Sequence, residues 1–110
     1  MQLTETYTVP DLVEMLDLSP GQVRRLFEER VLAAVKIDGV LRVPAEFLLN
    51  GQPVAGLRGT LILLDDNGLD IESAVAWLLE PNEYLDGETP ISQLRLNHKT
   101  PVRRAAAFLL

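Results

Sequence analysis

The sequence predicts a mostly α chain with one small β-hairpin, and three observations carry that expectation. Apolar residues recur at i, i+3, i+4 and i+7 in both halves of the chain, the spacing of helices that bury one stripe. One strong hairpin signal, Asp38-Gly39, stands between two short runs of β-prone residues. Helix-stop signals then punctuate the second half at Asn50-Gly51, Asn67-Gly68 and Pro81. With 110 residues, 47% of them apolar, the chain suits one ordinary domain or a small domain with a packed extension.

Residues 1–6 read as a flexible N-terminal tail in which Thr4 and Thr6 flank Glu5. Threonine beside acid at a fraying end suits phosphorylation, which makes a protein kinase an expected partner. Thr8-Val9-Pro10-Asp11 then has the form of a capping box with proline in the first turn, where its missing N–H is harmless. The helix it starts places Val9, Leu12, Val13 and Leu16 on one stripe. Ser19-Pro20-Gly21-Gln22 is a second capping box that follows almost at once, so two helices must pack at a steep angle. In the second helix, spanning about 20–29, Val23, Leu26 and Phe27 form the buried stripe. Arg25 points away from it at 100° per residue, and Gln22 and Arg24 flank that outward face.

The hairpin occupies about 33–43. A two-residue Asp38-Gly39 tip would set Lys36 and Arg42 on opposite faces, whereas a three-residue tip, 37–39, would pair Lys36 with Val40 and Ala34 with Arg42. The three-residue register is expected. It would put both cations on one face and Ala33, Val35, Leu41 and Val43 on the other. Two helices at a steep angle followed by such a ribbon are a helix-turn-helix with a wing, an arrangement that lays one helix in the major groove of DNA while the ribbon tracks phosphate. A winged helix-turn-helix over 7–50 is therefore expected, with a compact C-terminal helical region, 51–110, packed on it.

At the end of the winged unit Ala45–Leu49 reads as a short helix closed by Asn50-Gly51. Leu57, Leu61 and Leu64 lie on an apolar helix ending at Asn67-Gly68. Asp70 can cap the next, in which Ile71, Ala74, Val75 and Leu78 repeat at helical spacing until Pro81. A short helix at about 90–94 and one capped by Thr100-Pro101 and running from Val102 complete the chain.

The stretch YTVPDLVEMLDLSPGQVRRLFEERVLAAVKIDGVLRVP resembles the MerR and excisionase type of winged helix-turn-helix. The whole chain, with its helical tail, is most similar to a small actinobacterial family of winged-helix DNA-binding proteins related to MerR. That resemblance implies a DNA-binding protein acting as a transcriptional regulator, with Gln22, Arg24 and Arg25 facing the groove and Lys36 and Arg42 on the wing. AVAWLLEPNEYLDGETPISQL is similar, in turn, to the toxin-binding tail of Xre-, MbcA- and ParS-type antitoxins. It implies a protein-interaction module over 77–94, with Trp77, Leu78, Tyr84 and Leu85 as its surface. The competing reading of Trp77 is a core residue of a small helical subdomain.

Charge limits these expectations. The net charge is -6, and counting the sequence on either side of Asn50 gives five basic and eight acidic residues in each part. Affinity for DNA draws on cations that release counterions from phosphate, so binding must rest on their local arrangement. The last twenty residues carry Arg95, Lys99, Arg103 and Arg104 with no acid, a second cationic region. The absence of cysteine excludes disulfides and thiolate-ligated metal, and no secretory leader or membrane-spanning run is visible, so a cytoplasmic protein is expected. Asp65, Asp66, Asp70 and Glu72 lack the alternation of a calcium loop, and His98 has no nucleophile near it in sequence. No phosphate loop or carboxylate dyad appears, and neither enzymatic activity nor a cofactor or metal is expected. A homodimer would have to form through the C-terminal half, since no long heptad helix is present.

Overall fold

The computed structural model describes residues 5–109. Strand β1 (Thr6–Thr8) runs straight into helix α1 (Val9–Leu16), and a tight turn leads to helix α2 (Pro20–Glu28). Both capping boxes form. The Thr8 hydroxyl accepts the Asp11 N–H at 3.4 Å and the Asp11 carboxylate accepts the Thr8 N–H at 2.9 Å. Ser19 Oγ accepts the Gln22 N–H at 3.1 Å, and Gln22 Oε1 accepts the Ser19 N–H at 2.8 Å. Such a cap contributes roughly 1 kcal/mol to a short helix that would not hold alone. The left-handed backbone of Asp17 (φ 54°) ends α1 and lets α2 cross it, burying Leu12 and Val23 completely.

Strands β2 (Val35–Ile37) and β3 (Val40–Pro44) form the hairpin in the two-residue register, Ile37 opposite Val40, Lys36 opposite Leu41 and Val35 opposite Arg42. The expected three-residue tip is thus corrected. Asp38 (φ 52°) and Gly39 (φ 80°) both take left-handed backbone, which makes a type I′ turn whose twist matches that of the strands it joins. Lys36 and Arg42 consequently stand on opposite faces. So do Val35 and Val43, both buried, which means that the small sheet is covered from two sides.

Strand β1 pairs antiparallel with β3, Thr6 opposite Pro44 and Thr8 opposite Arg42, giving the sheet order β1-β3-β2. Thr6, expected in a loose tail, is a sheet residue, whereas Thr4 lies outside the described residues. The helix expected over Ala45–Leu49 is a single 3-10 turn, Ala45–Phe47, followed by a second hairpin of β4 (Leu48–Leu49) and β5 (Gln52–Pro53). Asn50 (φ 53°) and Gly51 (φ 73°) form another left-handed pair, so Asn-Gly here turns a ribbon where a helix stop was expected.

Four helices follow: α3 (Leu57–Asp66), α4 (Ile71–Leu79), α5 (Pro90–Arg95) and α6 (Lys99–Ala107). Asp70 caps α4 by accepting the Ser73 N–H at 2.8 Å, and Thr89 caps α5. Helix α6 begins at Lys99 with His98 in the capping position, so Thr100 and Pro101 belong to its first turn. α3 packs on α4 and α6, and α5 on α4 and α6.

A single hydrophobic core runs through both halves, from Leu12, Val23 and Val43 through Phe47 to Leu57, Leu64, Leu78, Leu94 and Val102. Three cations of the polar shell tie the halves together. Arg30 pairs with Asp65 at 2.9 Å, Arg58 Nε donates to the Glu29 carbonyl at 3.0 Å, and Arg95 donates to the carbonyls of Glu46 and Leu48. The expected boundary after Asn50 therefore falls at the tip of a hairpin within a continuous body.

Candidate nucleic-acid interface

Helix α2 presents Gly21, Arg25 and Glu28 on the side away from Val23, Leu26 and Phe27. Arg24 and Arg25 are both exposed, and among the described residues neither has a carboxylate within ion-pair distance. Their settings differ. Arg24 lines a groove of about 590 Å³ between the first turns of α1 and α2, together with Val9, Pro10, Asp11, Val13, Glu14 and Pro20. The two acids of that groove temper its charge, while Arg25 faces open solvent. Gln22 is exposed as well, but its carbonyl oxygen is held by the Ser19 N–H, which leaves only its NH2 group to donate outward.

The wing divides its two cations. Lys36 is exposed at the middle of β2, whereas Arg42 is half-buried and donates to the Thr6 hydroxyl at 3.2 Å. Arg42 also lends its positive charge to the neighbourhood of Asp11. That carboxyl is held below the ordinary 3.8 chiefly by the Thr8 N–H and hydroxyl it engages, partly opposed by burial, with the charge of Arg42 as the smallest contribution. The shared cationic face expected of the wing does not form, because the two-residue tip turns one cation inward. Asp38 at the tip further reduces the wing's positive charge.

The surface expected over 77–94 is also largely internal. Leu78 and Leu85 belong to the core, and Trp77 is partly buried against it. Tyr84 alone is open, at 60% exposure, and its ring stacks on the equally open Phe108 at 5.0 Å between centroids. Phe108 closes this pair from the far end of the chain, which no local pattern around Trp77 could indicate. Among the described residues no group of three or more His, Cys, Asp or Glu side chains could hold a metal ion. His98 sits exposed with its ring Nδ1 3.1 Å from Gln93 Oε1.

Sequence reading missed where the cations of the second half pack. Arg58 reaches the carbonyl that ends α2 and so joins the halves, while Arg103 and Lys99 lie along α3 at Gly59 and Gly56, places where a Cβ would come within 3.0 Å and 2.9 Å of their side chains. The run of basic residues after Ile91 was the available signal, but its packing partners lie far away in sequence.

Two family models together match nearly all of the chain: residues 2–48 match the winged helix-turn-helix domain of the DNA-binding protein Rv2175c, and residues 54–109 match the Rv2175c C-terminal domain of unknown function. The chain belongs to the Rv2175c family. The DNA-binding protein Rv2175c of Mycobacterium tuberculosis is 33% identical over 81 residues, which are 73% of this chain and 56% of that relative. The chain thus aligns with little more than half the length of the relative. The NMR structure of Rv2175c superposes with a TM-score of 0.82 at 30% identity, covering 96% of this chain and 82% of that one. The likeness holds at the level of a winged helix-turn-helix of this family, and the stretch read as antitoxin-like falls within its C-terminal domain. Among the described residues no helix is long and apolar enough to cross a membrane.

Proposed function

We propose that this Rv2175c-family chain binds double-stranded DNA and acts in the cytoplasm as a transcriptional regulator, without enzymatic activity, in the manner of MerR- and excisionase-type winged helices. Helix α2 enters the major groove with Arg25 toward base edges, Arg24 and the NH2 of Gln22 stand at its flanks, and Lys36 of the wing reaches phosphate. The observation that carries this reading is the pair Arg24 and Arg25, exposed and without carboxylate partners among the described residues, on a helix fixed by its own capping box. Arg42 supports the wing from within through Thr6.

A double Arg24→Ala, Arg25→Ala variant, titrated with DNA across salt concentrations, should lose about tenfold or more in affinity, since a good base or phosphate contact is worth ~1–3 kcal/mol. Unchanged affinity with an intact fold refutes the reading. The same titration reads a kinase switch at Thr6. A phosphate there would add about -1.5 to -2 charge against Arg42 and beside Asp11, and would repel DNA, so Thr6→Glu should weaken binding. Parental affinity in that variant removes the switch; Thr4 remains the other expected target.

The second reading is a protein-interaction module, antitoxin-like or homodimeric, built on the C-terminal half. The stacked, exposed Tyr84 and Phe108 favour it. Tyr84→Ser leaves the core residues in place, so an unchanged elution volume and unchanged partner binding in that variant would exclude this surface.

A further inference from the structure

The C-terminal helical region carries a cationic ridge that begins where the recognition helix ends. Arg58 Nε donates to the carbonyl of Glu29, the residue that caps α2. Across the first turn of α3, the guanidinium of Arg103 lies at Gly59, the residue after Arg58 in sequence, and the stem of Lys99 lies at Gly56. Lys99 and Arg103 are one turn apart on α6, about 6 Å along its axis. Among the described residues none of the three has a carboxylate within ion-pair distance, and the first turns of α3 and α6 contain no acidic residue. Glu28 and Glu29 border the ridge at α2, and Asp65 at the other end of α3 is engaged by Arg30.

Three cations without a carboxylate partner among the described residues leave this side of the molecule positive, and the glycines at 56 and 59 let two of them lie close to α3. Gly56 has φ 89° and a Cβ there would collide with the Lys99 stem, while a Cβ at Gly59, inside the helix, would crowd the end of the Arg103 side chain. Such a surface suits a polyanion. A duplex offers a phosphate about every 3.4 Å of rise along each strand, so two long cationic side chains carried one turn apart on α6 can reach neighbouring phosphates.

We infer that Arg58, Lys99 and Arg103 form a second phosphate-contacting surface, through which the C-terminal domain grips the backbone of the same DNA duplex that α2 reads. This rests on the DNA-binding reading above. The contact is with the backbone and independent of sequence, so it adds affinity and salt dependence without selecting bases.

The test uses the full chain and a mixed-sequence duplex of about 20 base pairs, roughly 68 Å long at that rise and so longer than the 37 Å principal dimension of the protein. A Lys99→Gln, Arg103→Gln double variant should lower the slope of log affinity against log salt by about 2 and weaken binding about 5- to 20-fold at moderate salt. Arg103→Lys, which keeps the charge, should retain the parental slope. Arg104→Gln removes the same charge about 100° around α6 from Arg103 and should leave the slope near the parent's. Thermal unfolding of each variant establishes that the fold is intact, and Arg103→Gln alone serves if the double variant does not fold.

A parental slope in the neutralised variants overturns the ridge, as does an equal loss from Arg104→Gln. If Arg24→Ala, Arg25→Ala loses binding while the ridge variants match the parent, only the ridge falls. A parent chain that binds no duplex at low salt overturns both readings.

Discussion

Asp11 shows how closely stability and the proposed interface are joined at the residue scale. Its carboxylate caps α1 through the Thr8 N–H, lies near Arg42 and lines the groove that contains Arg24. Asp70 does a simpler version of the same work at α4, where the Ser73 N–H and hydroxyl hold its carboxyl below 3.8. A carboxyl that is more acidic when folded stabilises the fold above its ordinary value and loses that contribution as pH falls through the depressed one. The parent should therefore lose thermal stability progressively below about pH 4, and an Asp11→Asn, Asp70→Asn double variant should show a shallower decline over the same range. Equal slopes in a pH series of unfolding midpoints would mean that these caps do not couple to protonation. Gln22 is a related case at the next helix. Sequence places it on the outward face, but the hydrogen bond to Ser19 gives half of its carboxamide a structural duty.

At the scale of elements, left-handed glycines separate turns that need only backbone freedom from turns that also need space. Gly39 (φ 80°) has nothing within 4 Å of where a Cβ would stand, whereas a Cβ at Gly56 (φ 89°) would meet Lys99 Cγ at 2.9 Å and Leu94 Cδ2 at 3.2 Å. Gly39→Ala should cost about 1 kcal/mol from its backbone alone. Gly56→Ala should cost about 1–3 kcal/mol more, through overpacking against α5 and α6; denaturant titration of the two variants gives the order. The elements most legible in the sequence were those with local causes. Both capping boxes, the stripes of α1, α2 and α4, and the Asp70 cap depend on residues within one or two turns of each other. The hairpin tip was misjudged because two registers satisfy a short pattern nearly equally, and left-handed backbone at Asp38 decided between them. Strand β1 was missed although Thr6-Tyr7-Thr8 is a β-prone triplet, since a three-residue strand exists only by virtue of β3, 36 residues away. Of the proposed interface, the exposure of Arg24 and Arg25 was readable from helical phase. The inward turn of Arg42 and the ridge on α6 depend on contacts between distant segments.

For the molecule as a whole, the winged helix and the helical tail share one core and cannot be separated at Asn50 without exposing Phe47 and Leu48. Unfolding should accordingly be one cooperative transition, with calorimetric and van't Hoff enthalpies equal. Arg95→Met, which removes the donor to the Glu46 and Leu48 carbonyls while keeping an apolar stem, should lower stability by about 1–3 kcal/mol without splitting that transition. Two separate transitions would show the halves to be independent. The narrow sheet has a further consequence, for the behaviour of the protein in concentrated solution. With β3 in the middle, its open edges are β1 and β2, each three residues long, and β2 carries Lys36 at its centre. Short strands and an edge lysine are poor templates for another chain to pair with. The ammonium group proposed to meet phosphate would thus also keep one wing from zipping to the next, and disfavour edge-to-edge assembly of an acidic, half-apolar chain into fibrils.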